Sequence, residues 1–151
     1  VVSLEGERIL PISEFFVGHM STSLDAAELV REVRIRRRND KPGMAYLAHA
    51  GRAAMETPLV AAGAIVSTRN GICSSATIAL AGADETPVRI SRAEEALIGC
   101  KLDDVAILKA AAIAAEDCSP DTDVYASGEY RRRLVGVYVR DALRAAASRV
   151  A

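Results

Sequence analysis

Apolar positions alternate with polar ones in the first half of this chain and recur at helical spacing in the second half. Alternation predicts strands with one solvated face, and apolar residues three and four apart predict helices. The segment Glu28–Arg36 alternates and is rich in β-branched residues, which predicts a strand. Before it, the segments Val1–Leu4 and Arg8–Leu10 predict a small hairpin that reverses at Glu5-Gly6-Glu7.

Three more strands are predicted after a break at Asn39–Gly43, a run of turn residues that separates two structural units. They are Met44–His49, Leu59–Thr68 and Ile72–Ala81. Asn70-Gly71 joins the last two, and this pair predicts a type I′ hairpin, because both central residues of that turn need positive φ. In the last strand, even-numbered residues are expected on one face and odd-numbered residues on the other.

Three helices are predicted in the rest of the chain. Ser91 and Glu94 form a capping-box pattern at the start of the first, and Gly99 suits a left-handed end. Asp103 caps the second helix, whose apolar stripe is expected at Val105, Leu108, Ala112 and Ala115; Ser127 caps the third. Strands followed by helices indicate an α+β fold, with a helix layer over one face of an antiparallel sheet.

The third helix carries a charge on its apolar face. Arg131 falls among apolar positions, and a guanidinium stays protonated, so its burial needs carboxylate or carbonyl partners. We predict that Arg131 has a structural role and pairs with Asp123 or Asp121. The apolar arc consists of Tyr130, Leu134, Val135, Tyr138, Val139, Ala142, Leu143 and Ala146.

Composition excludes several classes of partner. The net charge is −1 with acids and bases scattered, which indicates neither a nucleic-acid-binding nor an anionic-membrane-binding surface. Aromatic residues make up only 4% of the chain, so the expected core is built from small aliphatic side chains. Three widely spaced cysteines indicate neither a disulfide framework nor a zinc or iron–sulfur site, and they predict a reducing, cytoplasmic compartment. No apolar run has the length of a membrane span.

Motifs of catalysis and phosphate binding are missing from the sequence. His19 and His49 belong to no nucleophile motif, and Ser74-Ser75 lacks the GxSxG context of a hydrolase. No GxGxxG or GxxxxGK loop offers backbone amides to a diphosphate. We therefore predict no catalytic residue and no metal site in this chain.

Six segments occur in the order found in the flavoprotein (medium) subunit of the molybdenum hydroxylases, and the chain resembles that family, which includes carbon monoxide dehydrogenase and xanthine dehydrogenase. The most specific matches are EFF at Glu14–Phe16 and D-x(6)-YR, which runs from Asp123 through Tyr130 to Arg131. The segments are 6–18, 24–35, 45–54, the Asn-Gly hairpin, 87–99 and 119–143.

This resemblance implies a C-terminal domain at 44–151, with a three-stranded antiparallel sheet beside a three-helix bundle. It implies that residues 1–40 are the tail of a preceding FAD-binding domain. In the family, electrons from a large molybdopterin subunit pass through two [2Fe-2S] clusters of a small subunit to the FAD of this subunit, and then to an external acceptor.

The resemblance also implies which residues lie near the flavin. The family's Gly-rich FAD loops belong to an N-terminal half that precedes these segments. The matching cofactor-contact positions here are Val30 and Leu47, the latter a lysine in xanthine dehydrogenases. The alternative is a non-catalytic binding or scaffold module of the same fold that does not bind flavin. An independent hydrolase is a third hypothesis, for which the sequence offers no triad.

Overall fold

Residues 1–38 and 39–151 form two separate units, and the division falls at the predicted turn signal. The computed structural model describes residues 1–38, 40–49 and 57–150. Asn39 and the part of the predicted family segment that covers 50–54 lie outside the described residues.

The first unit contains two short hairpins. Strands β1 (Val2–Ser3) and β2 (Gly6–Glu7) pair antiparallel, and β3 (Phe16–Gly18) pairs with β4 (Ser21–Thr22) after a 3₁₀ turn at Ile12–Glu14. The first hairpin was predicted with longer arms. It is shorter because the chain reverses at Leu4 and Glu5, before Gly6. The φ of Gly6 is +143°, a backbone conformation that favours glycine.

The predicted strand Glu28–Arg36 was wrong. Only Leu29 forms a bridge, to Val2, with a hydrogen bond of 2.9 Å in each direction. Residues 30–38 form no ladder with any described part of the chain. Alternation shows that a segment suits a sheet, but a strand also needs a partner for its backbone groups.

The second unit has an antiparallel sheet in the order β5-β6-β7-β8. Its strands are β5 (Gly43–His49), β6 (Val60–Arg69), β7 (Ile72–Ala81) and a two-residue edge strand, β8 (Val88–Arg89), which adds to the three that were expected. Asn70 and Gly71 have φ values of 53° and 76°, so the predicted type I′ hairpin is confirmed.

The predicted strict alternation along β7 was wrong at one point. Ser67 pairs with Ser75 and Thr68 with Cys73, so Ser74 is an extra residue in a β-bulge. The bulge shifts the pattern by one residue. Cys73 is therefore buried in the same core cluster as Ile78, although their numbers differ in parity.

Three helices, two of which pack directly on this sheet, agree with the α+β prediction. They are α1 (Ser91–Glu95), α2 (Asp104–Asp117) and α3 (Gly128–Ala147). Helix α1 packs on β7 and α2, while α3 packs on β5, β6 and α2. The core is built from small aliphatic residues, as the composition predicted.

Side-chain caps at two of the three helices are confirmed. Asp103 accepts a bond from the Ala106 amide at 3.0 Å, and Ser127 accepts one from the Tyr130 amide at 3.2 Å. The predicted Ser91–Glu94 capping box was wrong, because no side chain caps α1. The Glu94 carboxylate instead joins α1 to the sheet. It accepts bonds from the Ile78 amide of β7 (2.9 Å) and from Arg89 of β8 (2.5 Å).

The predicted apolar face of α2 was wrong. Val105 and Leu108 are 77% and 50% exposed. Helix α2 carries apolar residues around its whole circumference, so spacing alone did not decide which side faces the core. Alanines allow the closest approach to neighbouring elements, and the buried stripe consists of Ile107, Ala110, Ala111 and Ala114.

Gly43 lies where β5 begins and the last turn of α3 passes over it. A Cβ at this position would overlap the carbonyl oxygen of Ala146 and crowd Val150. Only glycine lets the strand and the helix approach this closely.

Candidate functional site

The buried guanidinium of Arg131 connects three parts of the second unit. Arg131 lies in the first turn of α3 and is 8% exposed. Its Nη2 donates to Asp123 Oδ2 at 2.6 Å, and its Nη1 donates to the carbonyl oxygen of Leu59 at 2.5 Å. The side chain therefore joins the start of α3 to the loop before it and to the residue that precedes β6.

Of the two carboxylates considered as partners, the ion pair with Arg131 is made by Asp123. The other oxygen of Asp123, Oδ1, accepts bonds from the amides of Tyr125 and Ala126, both at 2.9 Å. The bond from Arg131 first, and then these two amides, lower the pKa of Asp123 from its ordinary 3.8 to about 2. One carboxylate thus fixes both the arginine and the loop that carries Tyr125.

A cavity of about 640 Å³ opens beside this ion pair. His49, at the end of β5, lines it and has its Nδ1 at 2.9 Å from the hydroxyl oxygen of Tyr138. Gly82 is required in the wall, because a Cβ there would lie 2.5 Å from the Leu59 carbonyl oxygen. The full lining is His49, Thr57, Pro58, Leu59, Gly82, Asp123, Val124, Tyr125, Tyr130 and Arg131.

This lining supplies two phenols, an imidazole, a guanidinium and a carboxylate. These groups can hold a polar aromatic ligand by hydrogen bonds and ring contacts. The described lining contains no serine, cysteine or lysine side chain. Sequence reasoning did not find the cavity, because the contact of His49 with Tyr138 joins residues 89 positions apart.

The two positions matched to flavin contacts lie in different units. Val30 belongs to the first unit and is exposed, and it lines a groove of that unit. Leu47 lies on β5 opposite Ala62, where it is half-buried against the core. Neither lines the cavity beside Arg131.

The residues of this chain do not fit the whole of an FAD molecule. Val30 and Leu47 offer apolar contact only, and neither side chain can donate a hydrogen bond to a flavin ring. A diphosphate needs converging backbone amides or cations, and the sequence has no Gly-rich loop to supply them.

Other sites for chemistry were searched in the described residues. No group of three His, Cys, Asp or Glu side chains there is placed to hold a metal ion. Cys73 and Cys118 are buried free thiols whose pKa is raised by burial, while Cys100 is free and exposed. None of the helices in this part of the chain combines the length and hydropathy that a membrane span needs.

Comparison with known families decides the assignment of this fold. The model of the CO dehydrogenase flavoprotein C-terminal domain matches residues 45–146. The chain belongs to this family. The matched range contains the whole Arg131 site, and the fold class and the resemblance inferred from the sequence are both confirmed.

Curated members of the flavoprotein family with similar sequences are subunits of oxidoreductases. The chain is 30% identical to the carbon monoxide dehydrogenase medium chain of Afipia carboxidovorans, over 96% of this chain and 50% of the relative. It is 31% identical to the 6-hydroxypseudooxynicotine dehydrogenase complex subunit alpha of Paenarthrobacter nicotinovorans, over 93% and 48%. The chain thus spans about half the length of these relatives.

Solved structures of the flavoprotein family have the same fold. The Cu,Mo-CO dehydrogenase in its cyanide-inactivated form gives a TM-score of 0.89 at 30% identity, over 97% of this chain and 51% of the matched chain. Quinoline 2-oxidoreductase from Pseudomonas putida 86 also gives 0.89, at 28% identity, over 96% and 50%. Both matches extend across the first unit as well as the second.

Proposed function

We propose that this chain is the C-terminal part of the FAD-containing electron-transfer subunit of a molybdenum hydroxylase-type dehydrogenase. The observation that carries the proposal is the match to a CO dehydrogenase chain over 97% of these residues, with a TM-score of 0.89. In this proposal residues 1–40 are the tail of the FAD-binding domain, and residues 44–151 are the C-terminal domain.

The proposed complex contains a molybdopterin large subunit and a [2Fe-2S] small subunit. It passes electrons from the iron–sulfur clusters through FAD to an external acceptor. Support comes from the names of the relatives, which are a medium chain and a subunit of a dehydrogenase complex. The cytoplasmic location stays a prediction from the unpaired cysteines.

In this proposal the residues of the chain have structural roles and carry out no chemical step. The Arg131–Asp123 pair holds the start of α3, the loop carrying Tyr125 and the residue before β6 in one arrangement. In the proposed subunit, Val30 and Leu47 give apolar contacts near the flavin. The preceding FAD-binding domain holds the diphosphate, for which this chain has no loop.

Purification of the native protein from its source tests the proposal. We expect a complex with one larger and one smaller companion, with molybdenum, iron and flavin present in fixed ratio to this subunit. Mass spectrometry identifies the companions, and metal analysis with the visible spectrum measures the cofactors.

A colourless protein without molybdenum or iron companions would overturn the proposal. It would favour the alternative, a scaffold module of the same fold that does not bind flavin. Added FAD provides the control, since a preparation that has merely lost its flavin regains the visible spectrum.

A further inference from the structure

Two of the three cysteines lie opposite each other in the second unit. The backbone amide of Cys73, near the start of β7, donates to the carbonyl oxygen of Cys100 at 2.8 Å, and the amide of Gly99 donates to the carbonyl oxygen of Cys73 at 2.9 Å. Two residues thus oppose one, and the first of them, Gly99, has a φ of +80°. This is the arrangement of a β-bulge that begins with a left-handed glycine. It makes Cys100 a direct neighbour of Cys73, although β8 and α1 lie between them in the sequence.

The backbone bonds hold the two cysteines at a separation that a disulfide can span. Residues bonded across a β-ladder have Cα atoms about 5.5 Å apart, and disulfides join Cα atoms about 4.4–6.8 Å apart. Both thiols are free in the structure. Each sulfur instead contacts a carbonyl oxygen, Cys73 Sγ that of Ser75 at 3.5 Å and Cys100 Sγ that of Ala96 at 3.7 Å. Because thiols are weak donors, little is lost when both side chains rotate away from these oxygens.

The two thiols differ in their access to solvent. Cys100 is exposed, whereas Cys73 is 1% exposed and belongs to the core cluster. Burial raises the pKa of the Cys73 thiol, and the neighbouring Cys100 raises it as well. Cys73 is therefore kept protonated and shielded, and an oxidant in solution reaches Cys100 first.

We infer that Cys73 and Cys100 form a redox-modification site, at which a hydroperoxide converts the two thiols to a reversible disulfide. Cys100 is the residue that reacts with the peroxide, and Cys73 is the resolving thiol. The inference goes beyond the proposed function and does not depend on it, since neither flavin nor molybdenum takes part in the reaction.

The reaction has two steps. The thiolate of Cys100 attacks one oxygen of hydrogen peroxide and the O–O bond breaks; the sulfur is oxidised by two electrons to a sulfenic acid, and the departing hydroxide takes up the thiol proton as water. Cys73 then loses its proton and attacks the Cys100 sulfur; the S–S bond forms, the S–O bond breaks and a second water leaves. Two thiols and one peroxide thus give one disulfide and two waters, and an external dithiol reduces the disulfide again.

The disulfide protects Cys100 from irreversible oxidation. A sulfenic acid without a thiol beside it is oxidised further to sulfinic and sulfonic acids, which dithiols do not reduce. The new bond joins the segment that follows α1 to the start of β7, two parts that backbone bonds already hold together. Protection therefore requires no large change of the fold.

Peptide mapping of the native protein after oxidation tests the inference, and Cys118 is the internal control because it is also 1% exposed. The protein is treated with hydrogen peroxide, unfolded in the presence of an alkylating reagent and digested with trypsin. We expect a disulfide between peptides 70–89 and 93–101 that disappears with dithiothreitol, and a Cys118 that is still alkylated. Sulfenic or sulfinic acid at Cys100 without this linkage would overturn the inference. A linkage between the Cys100 residues of two molecules, or no oxidation of Cys100, would also overturn it.

Matched variants of the whole protein separate the roles of the two cysteines. Cys100→Ser should reduce the oxidation of Cys73 at least about 10-fold, to the level of Cys118, because the exposed thiol that starts the reaction is gone. Cys73→Ala should increase sulfinic acid at Cys100 at least about 10-fold, whereas Cys118→Ala should leave it at the wild-type level.

Two results would contradict the assigned roles. One is unchanged oxidation of Cys73 in the Cys100→Ser protein, and the other is equal sulfinic acid in the Cys73→Ala and Cys118→Ala proteins. Cys100→Ser alters an exposed residue, so this arm decides the question even where Cys73→Ala fails to fold.

Discussion

The two units of this chain reach order by different means. The second unit encloses a cluster of fully buried aliphatic side chains, in which Ile78, Leu97, Val135 and Leu143 are among the largest. No residue of the first unit is fully buried, and hydrogen bonds around Arg8 and Glu28 connect its segments. The comparison teaches that the buried apolar contacts of this chain lie in the second unit, while polar contacts connect the segments of the first.

The largest expected difference concerns matched apolar truncations. Ile78 is fully buried and Val33 is 77% exposed. Ile78→Ala should lower the free energy of unfolding by about 4 kcal/mol through lost burial and a new cavity, and Val33→Ala by less than about 0.5 kcal/mol. Urea denaturation of the 151-residue chain measures both. Similar losses would show that the two units share one core.

Truncation of the buried arginine should have the next largest effect. Arg131→Met removes a buried guanidinium that bonds to a half-exposed carboxylate and to the Leu59 carbonyl oxygen, and should cost about 3 kcal/mol. Arg133→Met is the control, because Arg133 pairs with Glu129 on the solvent-exposed side of the same helix. Thermal unfolding compares the variants. An unchanged melting temperature for Arg131→Met would refute a stabilising role for its burial.

A smaller loss is expected at Glu94, the buried carboxylate of α1. Glu94→Ala removes the acceptor of the Ile78 amide and leaves that amide unpaired, at a cost of about 2 kcal/mol. The equivalent change in the first unit, Glu28→Ala, breaks the pair with Arg8, whose side chain is 43% exposed, and should loosen that unit alone. Amide exchange resolved by residue tells local loosening from global destabilisation. If Glu28→Ala also speeded exchange in β6 and β7, the independence of the two units would fail.

The smallest effect is a dependence of stability on pH. The pKa of Asp123 is about 2 in the folded chain and 3.8 ordinarily, so the folded state favours the ionised form. Its contribution is fully present above pH 4 and is lost as the pH falls toward 2. We expect Asp123→Asn to flatten the fall in melting temperature between pH 4 and 2. Parallel curves for the two proteins would assign acid sensitivity to other carboxylates.

Local signals in the sequence predicted local structure well. Asn70-Gly71 was sufficient for its hairpin, since the turn depends on the φ preferences of those two residues. Asp103 and Ser127 capped their helices as expected, because each bond reaches only three residues along the chain. The placement of Arg131 on a buried face followed from helical periodicity in the same way.

Predictions that depended on distant neighbours were less successful. Glu94 was expected to cap its own helix, but the Ile78 amide and Arg89 engage it in the folded sheet. Val105 and Leu108 were placed in the core because the sequence does not show which side of α2 the other helices occupy. The cavity beside Arg131 could not be foreseen, since its walls come from β5, the residues before β6 and the loop before α3.

The close contact of Gly43 with Ala146 makes the position of α3 against β5 depend on the size of residue 43. β5 is about 20 Å long and α3 about 30 Å, and the contact of Gly43 with Ala146 lies near one end of each. His49 at the other end of β5 and Arg131 in the first turn of α3 both line the cavity. A single methyl group added at position 43 would act as a wedge, tilting the helix against the strand and changing the width of a cavity that it does not touch.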